Sequence, residues 1–265
     1  MALELGAPPT QARKVVVQTS ELFELHFALF LGRCSEQKRG HPQPDWMVDF
    51  MRDHDGLHQR LLSFWESPPG YFAWDEMLLV AHHNGTLLDE TIDRFFERLP
   101  AALAGRVPVP ALPTETPDVA PIVTARLESL RTDAAARDEY VALLQEAWGV
   151  LGEVWERSGR GPAMDMARSL RVPEPTLDGL RKLLPGVTML RREEYEPILQ
   201  EAIDADEIVI VPLWLAGDGQ CIFDLPGILY LGVGVESGQK VERKREQAEK
   251  AAARLKVLSD PTRVS

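Results

Sequence analysis

Cysteine is scarce: Cys34 and Cys221 are the only two in 265 residues, far apart and in no Cys-x-x-Cys pair. That excludes a disulfide framework and a structural zinc knuckle, and it fits a reducing cytoplasm. No apolar run approaches the length of a membrane span, and Met1 to Pro9 lack the basic-then-apolar layout of a signal peptide. No membrane association is expected. Enzyme signatures are missing too, with no Gly-x-Ser-x-Gly and no phosphate-binding lysine loop. Excess positive charge is also absent: the net charge is −12, wrong for a simple nucleic-acid binder.

What is present suits a globular chain. Its residues are 45% hydrophobic and 26% charged, enough to bury one large core or two modest ones. The charge is unevenly spread. From Gln239 onward there are eight Lys/Arg against four acids, a net +4, which leaves −16 for the first 238 residues.

The periodicity predicts an α+β fold, predominantly helical, with a small sheet. Lys14 to Thr19 reads as a short strand, followed by a helix from Glu21 to about Cys34. That helix is apolar nearly all round, so it belongs in the core, with Glu21 and Glu24 near its positive end. Further helices are expected over Asp45–Trp65, Tyr71–His83, Leu88–Leu103, Ile122–Thr132 and Ala134–Arg157, the last ended by Ser158-Gly159-Arg160-Gly161-Pro162. Short helices are expected over Ala163–Arg171 and around Leu177–Leu184. Val187–Leu190 is strand-like, Glu193–Ala205 helical, and Glu207–Leu215 a buried strand. Gly217-Asp218-Gly219 is a hairpin signal before strands at Cys221–Phe223 and Gly227–Val235. Five prolines between Val107 and Pro121 mark the best internal boundary.

Candidate sites are few. His54 and His58 stand four apart, a metal-ligand spacing, but no third ligand is set by local spacing, so no metal is expected. Gly232-x-Gly234-x-x-x-Gly238 is one residue too long for a dinucleotide loop and reads as a flexible joint. No cofactor is expected. The stripe of Tyr140, Trp148 and Trp155, with Trp46, Trp65, Trp74 and Trp214, is either plain core or the lining of a pocket for a flat apolar ligand. His26, inside an apolar helix, is either a hydrogen-bonded core histidine or that pocket's buried polar group. The pocket candidates are thus His26, Trp65, Tyr140, Trp148, Trp155 and Trp214.

The C-terminal stretch is the most specific. Ala248, Ala251, Ala252, Leu255 and Leu258 recur at helical spacing, and Ser259-Asp260-Pro261 both stops that helix and offers a cap for another. Residues 253 to 263, Ala-Arg-Leu-Lys-Val-Leu-Ser-Asp-Pro-Thr-Arg, resemble the opening of the DNA-binding domain in ArsR-type winged-helix regulators. Residues 1 to 238 are more loosely similar to the long N-terminal region some of those regulators carry. The cysteine motif of the metal-sensing relatives is missing. The resemblance implies a sensory region with a helical part at 1–106 and a second helical part plus the small sheet at 122–238, joined by a Pro-rich linker at 107–121. The start of a winged helix would lie at 239–265, marked by Leu255, Leu258, Asp260, Pro261 and Arg263. It further implies a non-enzymatic cytoplasmic regulator that binds operator DNA as a homodimer under an unidentified small-molecule effector. The recognition helix would fall after residue 265, so these residues alone are not expected to bind a specific operator. The alternatives are a helical small-molecule-binding protein or enzyme that does not bind DNA, and a protein-interaction scaffold.

Overall fold

In helix α1, Glu21–Gln37, every residue from Leu22 to Leu29 is buried, two of them ionisable. A helix without a polar face has to be wrapped on all sides. The computed structural model describes residues 15–37, 44–64, 74–85, 87–88, 91–109, 119–171, 176–205, 207–225 and 227–235, and it wraps α1 in this way. Helices α2 (Asp45–Asp53), α3 (Asp55–Phe64), α4 (Asp75–His83) and α7 (Ala134–Val154) pack on α1, as does strand β2 (Ile208–Leu213). Helices α5 (Ile92–Ala104) and α6 (Val119–Thr132) complete the bundle against α4 and α7. The fold is predominantly helical α+β.

The sheet has four strands in the order β1-β2-β4-β3, with β1 at Val16–Val17, β3 at Gln220–Leu225 and β4 at Ile228–Gly234. β2 lies parallel to both β1 and β4, and β3 pairs antiparallel with β4. β2 reads Ile-Val-Ile-Val-Pro-Leu and all six residues are buried, as expected of a parallel strand covered on both faces. Its side chains alternate. Val209, Val211 and Leu213 join the bundle core, while Ile208 and Ile210 join a second core. That second core is built by α9 (Leu177–Leu183) and α10 (Glu196–Ala205), with Leu229, Leu231 and Val233 of β4. The arrangement is three-layered, with the bundle on one face of the sheet and a small helical layer on the other.

Residues on both sides of the 107–121 segment share one apolar cluster: Leu99 and Leu103 before it, Val123, Leu127 and Leu130 after it. α6 starts at Val119, inside the stretch expected as linker.

Several local expectations need correction. The helix expected over Asp45–Trp65 breaks at His54. The helix expected from Leu88 starts only at Ile92. There the Gln18 side chain donates to the Leu88 carbonyl and the Glu21 carboxylate accepts the Ile92 N–H, so Glu21 caps α5. The Gly-Pro stretch after Arg157 does not end its helix. A π-turn, Trp155–Gly159, carries the chain on into α8 (Arg160–Ser169), and such wide turns hold a helix together through an irregularity. Val187–Leu190 is not a strand. Thr188–Arg191 forms a 3-10 turn, fixed by the Gln220 side chain on Thr188 and by insertion of Leu190 into the second core. Gly217–Gly219 does not join a hairpin either. The hairpin is β3–β4, turning where Gly227 sits at φ 82, and β2 meets β4 in parallel. Gly232 and Gly234 lie inside β4, not in a joint: a Cβ on Gly234 would stand 2.3 Å from the Gly217 carbonyl oxygen. Gly238, Trp65 and residues 255–263 lie outside the described residues. No helix among those described is long and apolar enough to cross a membrane.

Candidate functional site

Trp74 and the first two residues of α4, Asp75 and Glu76, carry the buried chemistry at the start of this helix. Trp74 precedes the helix with φ 84, a left-handed conformation that costs a bulky residue roughly 1–2 kcal/mol. Its ring is 2% exposed and stacks on Tyr140 at 5.2 Å and Phe64 at 5.7 Å. The next residue, Asp75, meets His26 of α1, with Oδ1 2.7 Å from Nε2. Glu76, fully buried, receives Arg126 Nη1 of α6 at 3.4 Å, and its Oε2 finds no partner among the described residues. Burial pushes the Glu76 carboxyl up to about 7, against the opposing pull of the Arg126 charge. Asp75 is also raised by burial, partly offset by its bond to His26.

Beside Trp74 lies a small cavity of ≈ 20 Å³, room for about one water. Its walls are mostly apolar. Trp46, Phe50 and Trp74 supply rings, Gly32 leaves space on α1, and His58 is the single ionisable group in the lining. Trp46 Nε1 is buried and has no acceptor among the described residues.

A third arrangement lies where α1 meets the end of β2. Glu24, 1% exposed, accepts the Trp214 N–H at 2.6 Å, the Leu215 N–H at 2.8 Å and the Trp155 indole N–H at 3.1 Å. One carboxylate thus clasps α1, the π-turn and the loop that leaves β2. Burial raises its pKa to about 7, although all three hydrogen bonds favour the ionised form. Gly159 makes the close packing possible, since a Cβ there would stand 2.7 Å from the Trp214 ring.

No family model, curated protein or solved structure matches this chain. Its chemistry has to be read from its own geometry. Cys221 lies on β3 with its thiol pushed up to about 12 by burial, which disfavours the nucleophilic thiolate. Among the described residues no three of His, Cys, Asp and Glu come together to hold a metal ion. His54 is exposed and His58 buried, which splits that pair between solvent and core.

The sequence-derived pocket candidates divide into groups. Trp155 and Trp214 meet Glu24, through the indole N–H and the backbone N–H, and Trp148 lies against Trp155 with ring centroids 6.0 Å apart. His26 sits two residues along α1, paired to Asp75 and edge-on to Phe223. Tyr140 goes elsewhere, into the Trp74–Phe64 stack. None of these five lines the cavity. Its rings come from Trp46, Phe50 and Trp74. Sequence reasoning missed Glu76 and Arg126 as a buried pair and took Glu24 for a helix-end charge. An acid inside an apolar octet was the available signal for Glu24. Arg126 gave none, because one arginine on an amphipathic helix looks like any solvated one.

Proposed function

We propose that this chain is the responsive body of an ArsR-type transcriptional regulator. Its winged helix opens with Leu255, Leu258, Asp260, Pro261 and Arg263, and the protein binds operator DNA as a cytoplasmic homodimer under a small-molecule effector. The observation that carries this reading is the Leu-x-x-Leu-Ser-Asp-Pro-Thr-Arg order at 255–263. The charge pattern supports it, because an acidic body of net −16 is repelled by DNA while the basic stretch after it is attracted.

The order of elements supports a coupling between the body and the basic stretch. β4 is a central strand, and the basic stretch follows it in the sequence. The last β4 residue, Gly234, donates its N–H to Gly219 at 2.8 Å, in the same loop whose start Glu24 clasps. Effector binding in the bundle then acts by favouring one arrangement of this loop, which requires different affinity for the two states.

The test is a titration of the protein with its own upstream DNA over a salt series. Expected is saturable binding of one sequence well above competitor DNA, weakening as salt rises. Binding no tighter than to random DNA sinks the regulator reading and favours a small-molecule-binding protein or a scaffold.

A further inference from the structure

We propose that the cavity between α1, α2, α3 and Trp74 is a ligand site for a small, flat, uncharged molecule carrying one hydrogen-bond acceptor. Four observations converge on that chemistry. Apart from His58 the lining is apolar and aromatic, with no carboxylate, lysine or arginine in it, so an uncharged ligand suits it best. Trp46, Phe50 and Trp74 contribute aromatic rings to the lining, which suit a planar guest. The Trp46 indole N–H is buried on a lining residue and has no acceptor among the described residues. A buried donor left in that state is unfavourable, and a ligand acceptor removes the penalty.

The fourth observation concerns size. The cavity as it stands is smaller than one aromatic ring, so a guest has to move a wall. Trp74 is the wall already held in an unfavourable backbone conformation, and releasing it offsets part of the work of opening. The two residues after Trp74 hold His26 on α1 and Arg126 on α6. A displaced Trp74 therefore disturbs the pairs that fix α4 to α1 and to α6, and His26 of the first pair is two residues from Glu24. As an effector site the cavity rests on the regulator reading; as a binding site it does not.

Gly32 provides a clean test. A Cβ there would meet His58 Cε1 at 3.6 Å, ordinary contact, so Gly32→Ala fits without strain and removes a glycine from a helix interior. It also fills the cavity. The experiment tracks indole N–H resonances of the ¹⁵N-labelled 265-residue chain on titration with acetophenone. α-Methylstyrene, the same shape without the acceptor, serves as the comparison, and the Trp46 peak is identified by its loss in Trp46→Phe. Expected is a saturable shift of the Trp46 peak, with acetophenone about fivefold tighter than α-methylstyrene. Gly32→Ala binds at least about tenfold more weakly with a melting temperature no lower than the parent's. Trp46→Phe binds both probes equally. No saturable shift in the parent, or undiminished binding in a folded Gly32→Ala, overturns the site. The operator titration reads DNA alone, so its failure leaves a positive result here standing as ligand binding without regulation.

Discussion

The two faces of the sheet are built on different principles. Toward α9 and α10 the core is apolar throughout, from Leu177 and Leu180 to Leu231 and Val233. Toward the bundle, buried polar groups interrupt the core: Ser20, Glu24, His26, His58, Glu76 and Arg126 are all on this side. An apolar face needs only volume and shape to be stable. Each buried ionisable group on the other face adds a desolvation cost and depends on a particular partner. The far face is uniformly apolar, whereas the near face carries the strained Trp74 and the cavity.

The sharpest way to break this contrast is to remove one half of the buried pair. Arg126→Met leaves Glu76 buried with no counter-charge, and about 3–5 kcal/mol of stability is expected to be lost in urea unfolding at pH 8. The loss shrinks at pH 5, where Glu76 is neutral in the folded protein. Adding Glu76→Leu to Arg126→Met restores most of it, since both charges are then gone. A single variant as stable as the parent would mean that the pair is solvated and the contrast between faces is wrong.

On the other face, Leu231→Ala removes a buried side chain from the second core. About 2–5 kcal/mol is expected to be lost, and by the same amount at pH 5 and pH 8, because no buried charge is nearby to titrate. A strong pH dependence of this loss would blur the distinction.

The smallest effect is a slope. Glu24 and Glu76 are both raised by burial from the ordinary 4.5 to about 7. A folded-state pKa above the unfolded one means that the folded protein holds more protons between those values. The stability each group contributes is complete below about 4.5 and is lost as pH rises to about 7, by at most about 1.4 kcal/mol per pH unit. Glu24→Gln is expected to make the stability–pH curve shallower over that window, and the same measurement on Leu231→Ala is expected to leave the slope unchanged. An unaltered slope in Glu24→Gln would show that its three N–H donors hold the carboxylate ionised.

Much of the frame was legible in the sequence. The all-round apolar helix at Leu22 to Leu31, the unbroken run at Ile208 to Leu213 and the three-or-four spacing of Tyr140, Leu144, Trp148 and Leu151 each carry their structure in their own pattern, because burial demands a fixed period. Three of the misreadings share one cause. At Thr188, Leu88 and Ser158 the local signal was overruled by a distant group: Gln220, Gln18 and the Trp155–Gly159–Trp214 packing. The site was less legible still. Trp46 and Trp74 belonged to the aromatic set that was read, but nothing local separates them from Tyr140, which went to the core.

By itself, the sequence determined the helical character of the body, the buried strand, the acidic body with its basic end, and the 253–263 pattern. These depend on residue type and on spacing within one segment. Only the tertiary structure decided that Glu24 clasps a loop 190 residues away, that Glu76 meets Arg126, and that Trp74 closes a cavity. A buried charge is defined by what surrounds it, and those surroundings come from elements far apart in the chain.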